Sequence, residues 1–300
     1  MSTASLSRPP ATAARPLRRD VTPAVVVALA LLVASAYGFL AAHPYRDLPA
    51  ATATVTGAHA QDACSLAVAL GLLVLAGSLS ARVHLVRLGL YAYVAYSYAI
   101  YLTGMPMNRA FLAYVVLVAV AGAALLDGLV RLAPAAWPRA RSRRLERGTG
   151  WFLGAVGALF ACLWLTTLLP FALGGGRPDP EGPGGAPYPV FVLDLVVALP
   201  CVVAVGTLLV RGRRIGGPLA VVVLVKVITL FSVLWAGVIA ALFAGDRVTL
   251  GADAGPSLVM VAACWWLLVR WLGVLADTFE AVRPTFWPDE TEPAPAIMRP

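Results

Sequence analysis

Charge is scarce in this chain. Only 13% of its 300 residues are charged, and Lys226 is the single lysine. A water-soluble domain carries about 25% charged residues, so this composition excludes an ordinary soluble globular protein. Cysteine is scarce too. Cys64, Cys162, Cys201 and Cys264 each lie in or beside an apolar run, and no C-x-x-C occurs. That pattern argues for small buried thiols and against a disulfide scaffold or a zinc knuckle. Histidine appears three times, as His43, His59 and His84. No Ser-His-Asp arrangement, zincin helix, Walker loop or acidic metal cluster is present, so no hydrolytic, phosphate-binding or metal chemistry is announced, and no cofactor is expected.

What the chain has in abundance is apolar length, with 60% hydrophobic residues. Runs of 18 or more recur, each sufficient for a helix to cross about 30 Å of hydrocarbon. Within lipid every backbone polar group must bond inside its own segment, so such runs are helices. Their unbroken apolarity is unlike the alternation of a membrane β-barrel. The expected fold is all-α, a polytopic transmembrane bundle of eight spans. These are 22–42, 63–79, 84–101, 109–130, 151–173, 190–210, 219–243 and 256–275, within a membrane domain at 21–276. Residues 1–20 read as a flexible basic arm and 277–300 as a flexible Pro-rich acidic tail. The first span could imitate a secretion signal at Ala34-Ser35-Ala36, but its apolar run continues through Leu40, which favours an uncleaved helix.

Arginine supplies the orientation. Eighteen arginines fall on the side of the two termini and four on the other, at Arg46, Arg109, Arg177 and Arg247. By the positive-inside rule both termini face the cytoplasm, in a bacterial inner membrane to judge from the Ala-, Gly-, Pro- and Arg-rich usage. The net charge of +8 therefore reports topology and not nucleic acid, which is excluded as a partner. The bilayer is the expected partner, with a small solute, ion or lipid as ligand; the sequence names no protein partner.

Two residues break the apolar rule where lipid penalises it most. Asp194 lies 17 residues before Arg211, and Lys226 ten residues after Gly216. At 1.5 Å per residue these are about 25 Å and about 15 Å from the same membrane edge. A charge at bilayer depth costs about 2.5–3.5 kcal/mol on insertion scales, so both should face the bundle interior, paired directly or through a bridging hydroxyl or water. Thr229 and Ser232 flank Lys226, and Pro200 withholds a hydrogen bond from Val196 near Asp194. The third span adds His84, Arg87, Tyr91, Tyr98 and Tyr101 within an arc of about 100°, with Tyr93 and Tyr96 opposite. Tyr91 and Tyr98 are too deep for an aromatic belt and need buried partners; Asp194, Lys226, Asn108 and Tyr114 are candidates. The candidate ligand or proton site is thus Asp194, Lys226, Tyr91, Tyr98, Thr229 and Ser232, with His84, Arg87, Tyr101, Asn108 and Tyr114 in support. The segment 43–62 reads as a loop, whose His43, Asp47, His59 and Asp62 are too dispersed to count as metal ligands.

The stretch YAYVAYSYAIYLTGMPMNRAFLAYVV, with Asn108, Phe111, Leu112 and Tyr114 forming N-x-x-F-L-x-Y, resembles a helix pair in a group of uncharacterised bacterial multi-pass membrane proteins. The same group pairs an Asp-bearing span with a Lys-bearing span across an Arg-rich turn, as Asp194 and Lys226 do here. The resemblance implies one shared site for these residues and no established activity. The readings left open are a binding or transport protein, a structural or assembly subunit, and an enzyme acting on a lipid or quinone.

Topology is directly testable. A single cysteine introduced into the 211–216 turn of a cysteine-free chain should be labelled only from the side that labels a cysteine within 1–20. Labelling from opposite sides rules out the six crossings expected before this turn.

Overall fold

The computed structural model describes residues 21–45, 52–78, 80–132, 142–178, 188–243, 245 and 254–286. Among them there are eight helices in chain order and no strand. They are α1 Val21–Leu40, α2 Thr52–Ala76, α3 Ala81–Gly104, α4 Phe111–Arg131, α5 Arg143–Ala172, α6 Tyr188–Val210, α7 Gly216–Phe243 and α8 Ala254–Phe286. Seven are long and apolar enough to cross a membrane, so this is a multi-pass, all-α membrane bundle. The exception is α3, which carries His84, Arg87 and the tyrosines. It packs against α2, α4, α6 and α7. A helix wrapped in other helices meets protein and not lipid, and can therefore carry polar side chains at depth.

Several boundaries move from their expected places. Helix α2 begins at Thr52, so most of the presumed 43–62 loop is helix. Its first turns (TATVTGAHAQ) lack an apolar run, which is why hydropathy misses them. Helix α5 begins at Arg143 and α8 runs to Phe286, past the presumed membrane limit at Asp277. Residues 1–20 and 287–300 lie outside the described residues.

Polar contacts fix the helix ends. Ser142 caps α5 by accepting from the Leu145 amide at 3.3 Å. Arg143 reaches the C-terminal end of α6, donating to the carbonyls of Leu209 (3.3 Å) and Val210 (2.9 Å), and bonds Glu146 at 2.7 Å. Arg87, 1% exposed, does the same for α2, donating to Leu75 (3.1 Å) and Ala76 (2.8 Å) with His84 Nδ1 at 3.5 Å. Cations on the last carbonyls satisfy orphan acceptors and oppose the negative end of the helix dipole. Arg131 and Asp127 pair at 2.7 Å within α4, as the i, i+4 spacing predicts. Buried Trp271 of α8 donates to Thr149 of α5 at 3.0 Å, whereas Trp265 and Trp266 are exposed.

Helices in lipid gain little from burial against one another, so close van der Waals approach matters. Helices α5 and α6 touch backbone to backbone: a Cβ on Gly150 would lie 2.7 Å from the Gly206 carbonyl, and one on Gly206 2.7 Å from that of Gly150. Gly154 has open space where its Cβ would be. Gly150→Ala and Gly206→Ala should each destabilise by about 1–3 kcal/mol through overpacking. Gly154→Ala should be neutral or stabilising, because alanine favours helix by about 1 kcal/mol. Thermal unfolding of the three variants in one detergent checks the order.

Candidate functional site

Asp194 begins a π-helical turn, Asp194–Ala198, inside α6. The Leu199 amide reaches back to the Asp194 carbonyl, and Pro200 follows with no amide hydrogen to give. The sequence marks this place by Pro200; the chain answers with a widened turn, a distortion that recurs at functional positions. The Asp194 side chain, 9% exposed, receives a donor on each oxygen. Tyr96 of α3 bonds Oδ1 at 2.7 Å and Trp164 of α5 bonds Oδ2 at 2.8 Å. Phe191 packs edge-on against the Trp164 ring, 5.1 Å between centroids, and holds the indole in place.

Lys226 of α7 does not reach the carboxylate. Its ammonium lies over the Tyr96 ring, 3.7 Å from the centroid. The bridging group expected between Asp194 and Lys226 is therefore Tyr96, hydroxyl to the acid and ring face to the amine. A cation over an aromatic face gains about 0.5–2 kcal/mol, more as water is excluded. Among the described residues no hydrogen bond or close ion pair holds the Lys226 ammonium; beyond the ring it interacts with the Asp194 carboxylate at longer range.

The remaining candidates scatter. Thr229 and Ser232 donate to the Val225 and Ile228 carbonyls of their own helix, both at 2.8 Å. Tyr91 is fully buried but is not the residue that meets Asp194. Tyr98 turns to α2, bonding Ser65 at 2.8 Å. It stacks with Tyr101 and Tyr114, whose three centroids are 5.5–5.6 Å apart. Asn108 donates weakly to Tyr114 at 3.4 Å and caps the start of α4 through the Ala110 amide at 2.9 Å. His84 and Arg87 belong to the opposite end of α3.

The two tyrosines placed opposite the ladder make polar contacts of their own. Tyr96 makes the Asp194 site, and Tyr93 joins a second network by accepting from Gln61 at 2.8 Å; Gln61 also donates to Ser65 at 3.2 Å. The helical wheel fails because α3 has neighbours on every side, so no single face marks the interior. Trp164 was missed because a tryptophan in an apolar helix reads as packing; only its need for an acceptor hinted otherwise.

Removing the Tyr96 hydroxyl isolates its hydrogen bond. Tyr96→Phe keeps the ring under Lys226 but strips one donor from a buried carboxylate, which should cost about 1–3 kcal/mol. Thr229→Val, which loses only a bond within its own helix, should stay within about 0.5 kcal/mol. Denaturant unfolding of both variants gives the comparison. No protein family, curated protein or solved structure matches this chain.

Proposed function

We propose that this membrane protein binds, and passes through the bilayer, a small solute or ion at the site formed by Asp194, Tyr96, Trp164 and Lys226. The observation that carries the reading is Lys226: an ammonium within a membrane-spanning helix, lodged on a tyrosine ring, with no acceptor among the described residues. A cation at such depth is costly unless its donors are used, and an acceptor-bearing or anionic ligand group uses them. Asp194 shares Tyr96 with Lys226, so a charge change at either is transmitted through one phenol. The bacterial inner membrane, with both termini cytoplasmic, is part of this proposal on the arginine distribution.

One observation favours a competing role. Both Asp194 oxygens are already bonded, as in a static lock between helices of a structural subunit. Lys226→Met and Asp194→Asn separate the two. With a binding site, both variants fold, and a compound that raises the unfolding temperature of the natural protein in a screen of small carboxylates, phosphate and soluble quinones loses its effect. With a lock, both variants lose the folded protein, and no compound acts through Lys226.

A further inference from the structure

A second carboxylate lies buried on another side of α3. Asp62 is 2% exposed and sits within α2, inside its apolar spanning stretch Val55–Ala76. Its surroundings are built to receive it. Gly38 of α1 faces the carboxylate, and a Cβ there would collide with Oδ2. Ser35 of α1 donates to the Asp62 carbonyl at 3.0 Å. Beyond α1 the chain folds back through His43, at φ 56°, and Tyr37 ties the return by donating to the Pro44 carbonyl at 3.2 Å. That return delivers the Tyr45 hydroxyl to Asp62 Oδ2 at 2.6 Å. Burial first, and then the Asp62 carboxylate, push the Tyr45 phenol above its ordinary range, so it remains a donor.

His59 stands one turn from Asp62 on the same helix. Its ring lies between Phe39, stacked at 6.0 Å, and Tyr45, edge-on at 5.3 Å. Nδ1 is buried, makes no hydrogen bond, and lies 4.0 Å from Asp62 Oδ2. The side chain as a whole is 39% exposed against 3% for Asp62. One edge of the imidazole thus faces the acid and the rest faces outward.

The other groups facing this pair are phenols: Tyr98 and Tyr101 from α3 and Tyr114 from α4 are within electrostatic reach of Asp62. From α7, Gly237 packs against Gly57 and Ala60 of α2, 3.7 and 3.9 Å from where its Cβ would stand. Among the described residues no lysine or arginine reaches Asp62; Arg46 and Asp47 lie outside them. A buried acid without a fixed cation is tolerable at depth when it can take a proton.

We propose that Asp62 and His59 form a proton-binding pair, in which His59 carries protons between the surface and the Asp62 carboxylate. The N–H bond at Nδ1 of the imidazolium breaks and an O–H bond forms at Oδ2, leaving neutral imidazole and neutral acid; the reverse step returns the proton. The rings of Phe39 and Tyr45 guide the imidazole, which must close from 4.0 Å to about 2.8 Å for transfer. This pair stands apart from Asp194 and does not depend on what that site binds.

Infrared difference spectroscopy of the full-length protein in lipid nanodiscs tests the pair. Lowering the pH should raise a protonated-carboxyl band that Asp62→Asn abolishes and Asp194→Asn retains. His59→Phe, which preserves the aromatic stack, should keep the band but slow its exchange into heavy water by about a hundredfold, the lower range for a positioned proton carrier. If Asp62→Asn does not fold, Tyr45→Phe keeps the acid, removes its donor, and should displace the midpoint of the same band. The proposal is overturned by no titrating carboxyl band in the natural protein, a band that survives Asp62→Asn, a midpoint unmoved in Tyr45→Phe, or an exchange rate indifferent to His59→Phe.

Discussion

A carboxylate that stays charged at bilayer depth has to be met by donors from elsewhere in the fold. For Asp194 they come from Tyr96 on α3 and Trp164 on α5. Tyr96 also offers its ring to Lys226 on α7. Four helices are therefore held at one level by a single acid and a single phenol. An unmet polar group in hydrocarbon costs several kcal/mol, comparable to the whole margin by which a protein is stable. The arrangement of α3, α5, α6 and α7 is constrained by that cost before any ligand is considered.

The same constraint explains the placing of α3. A helix with two arginines, a histidine and five tyrosines would be expensive against lipid. Surrounded by α2, α4, α6 and α7, it brings Arg87, Tyr93, Tyr96 and Tyr98 to polar partners on α2 and α6. Close approach to this polar axis requires small residues on the helices around it. A Cβ on Gly89 of α3 would meet Val225 of α7, and one on Gly128 of α4 would meet Leu88 of α3. Glycine at these positions admits neighbouring side chains that any larger residue would hold off.

Much of this was legible in the sequence, and the failures have physical causes. Apolar runs located the helices, and the anomalous depth of Asp194 and Lys226 marked two groups that the fold joins through one hydroxyl-bearing side chain. Which tyrosine supplies it was not legible, because amphipathic phase identifies an interior only for a helix with one wet or lipid face. Asp62 and His59 were read as loop residues because the start of α2 is polar, and hydropathy cannot distinguish a polar helical turn inside a bundle from a connection outside one. Nor does a sequence reveal that 41–45 folds back to bring Tyr45 to Asp62, since that depends on one residue at positive φ and one carbonyl contact.

Tyr96 and Tyr98 are two positions apart, so they point about 200° apart around α3. One bonds Asp194 on α6 and the other Ser65 on α2. Asp194 lies six residues from the start of α6 and Asp62 ten from the start of α2, about 9 and 15 Å from the same end of the bundle. Both acids therefore sit at nearby levels on different sides of one stiff helix. Tyr98 meets α2 at Ser65, one turn from Asp62. Asp194 is therefore bonded to α3 itself, whereas Asp62 is held by Tyr45 from the return after α1, so the two acids are held by different parts of the bundle.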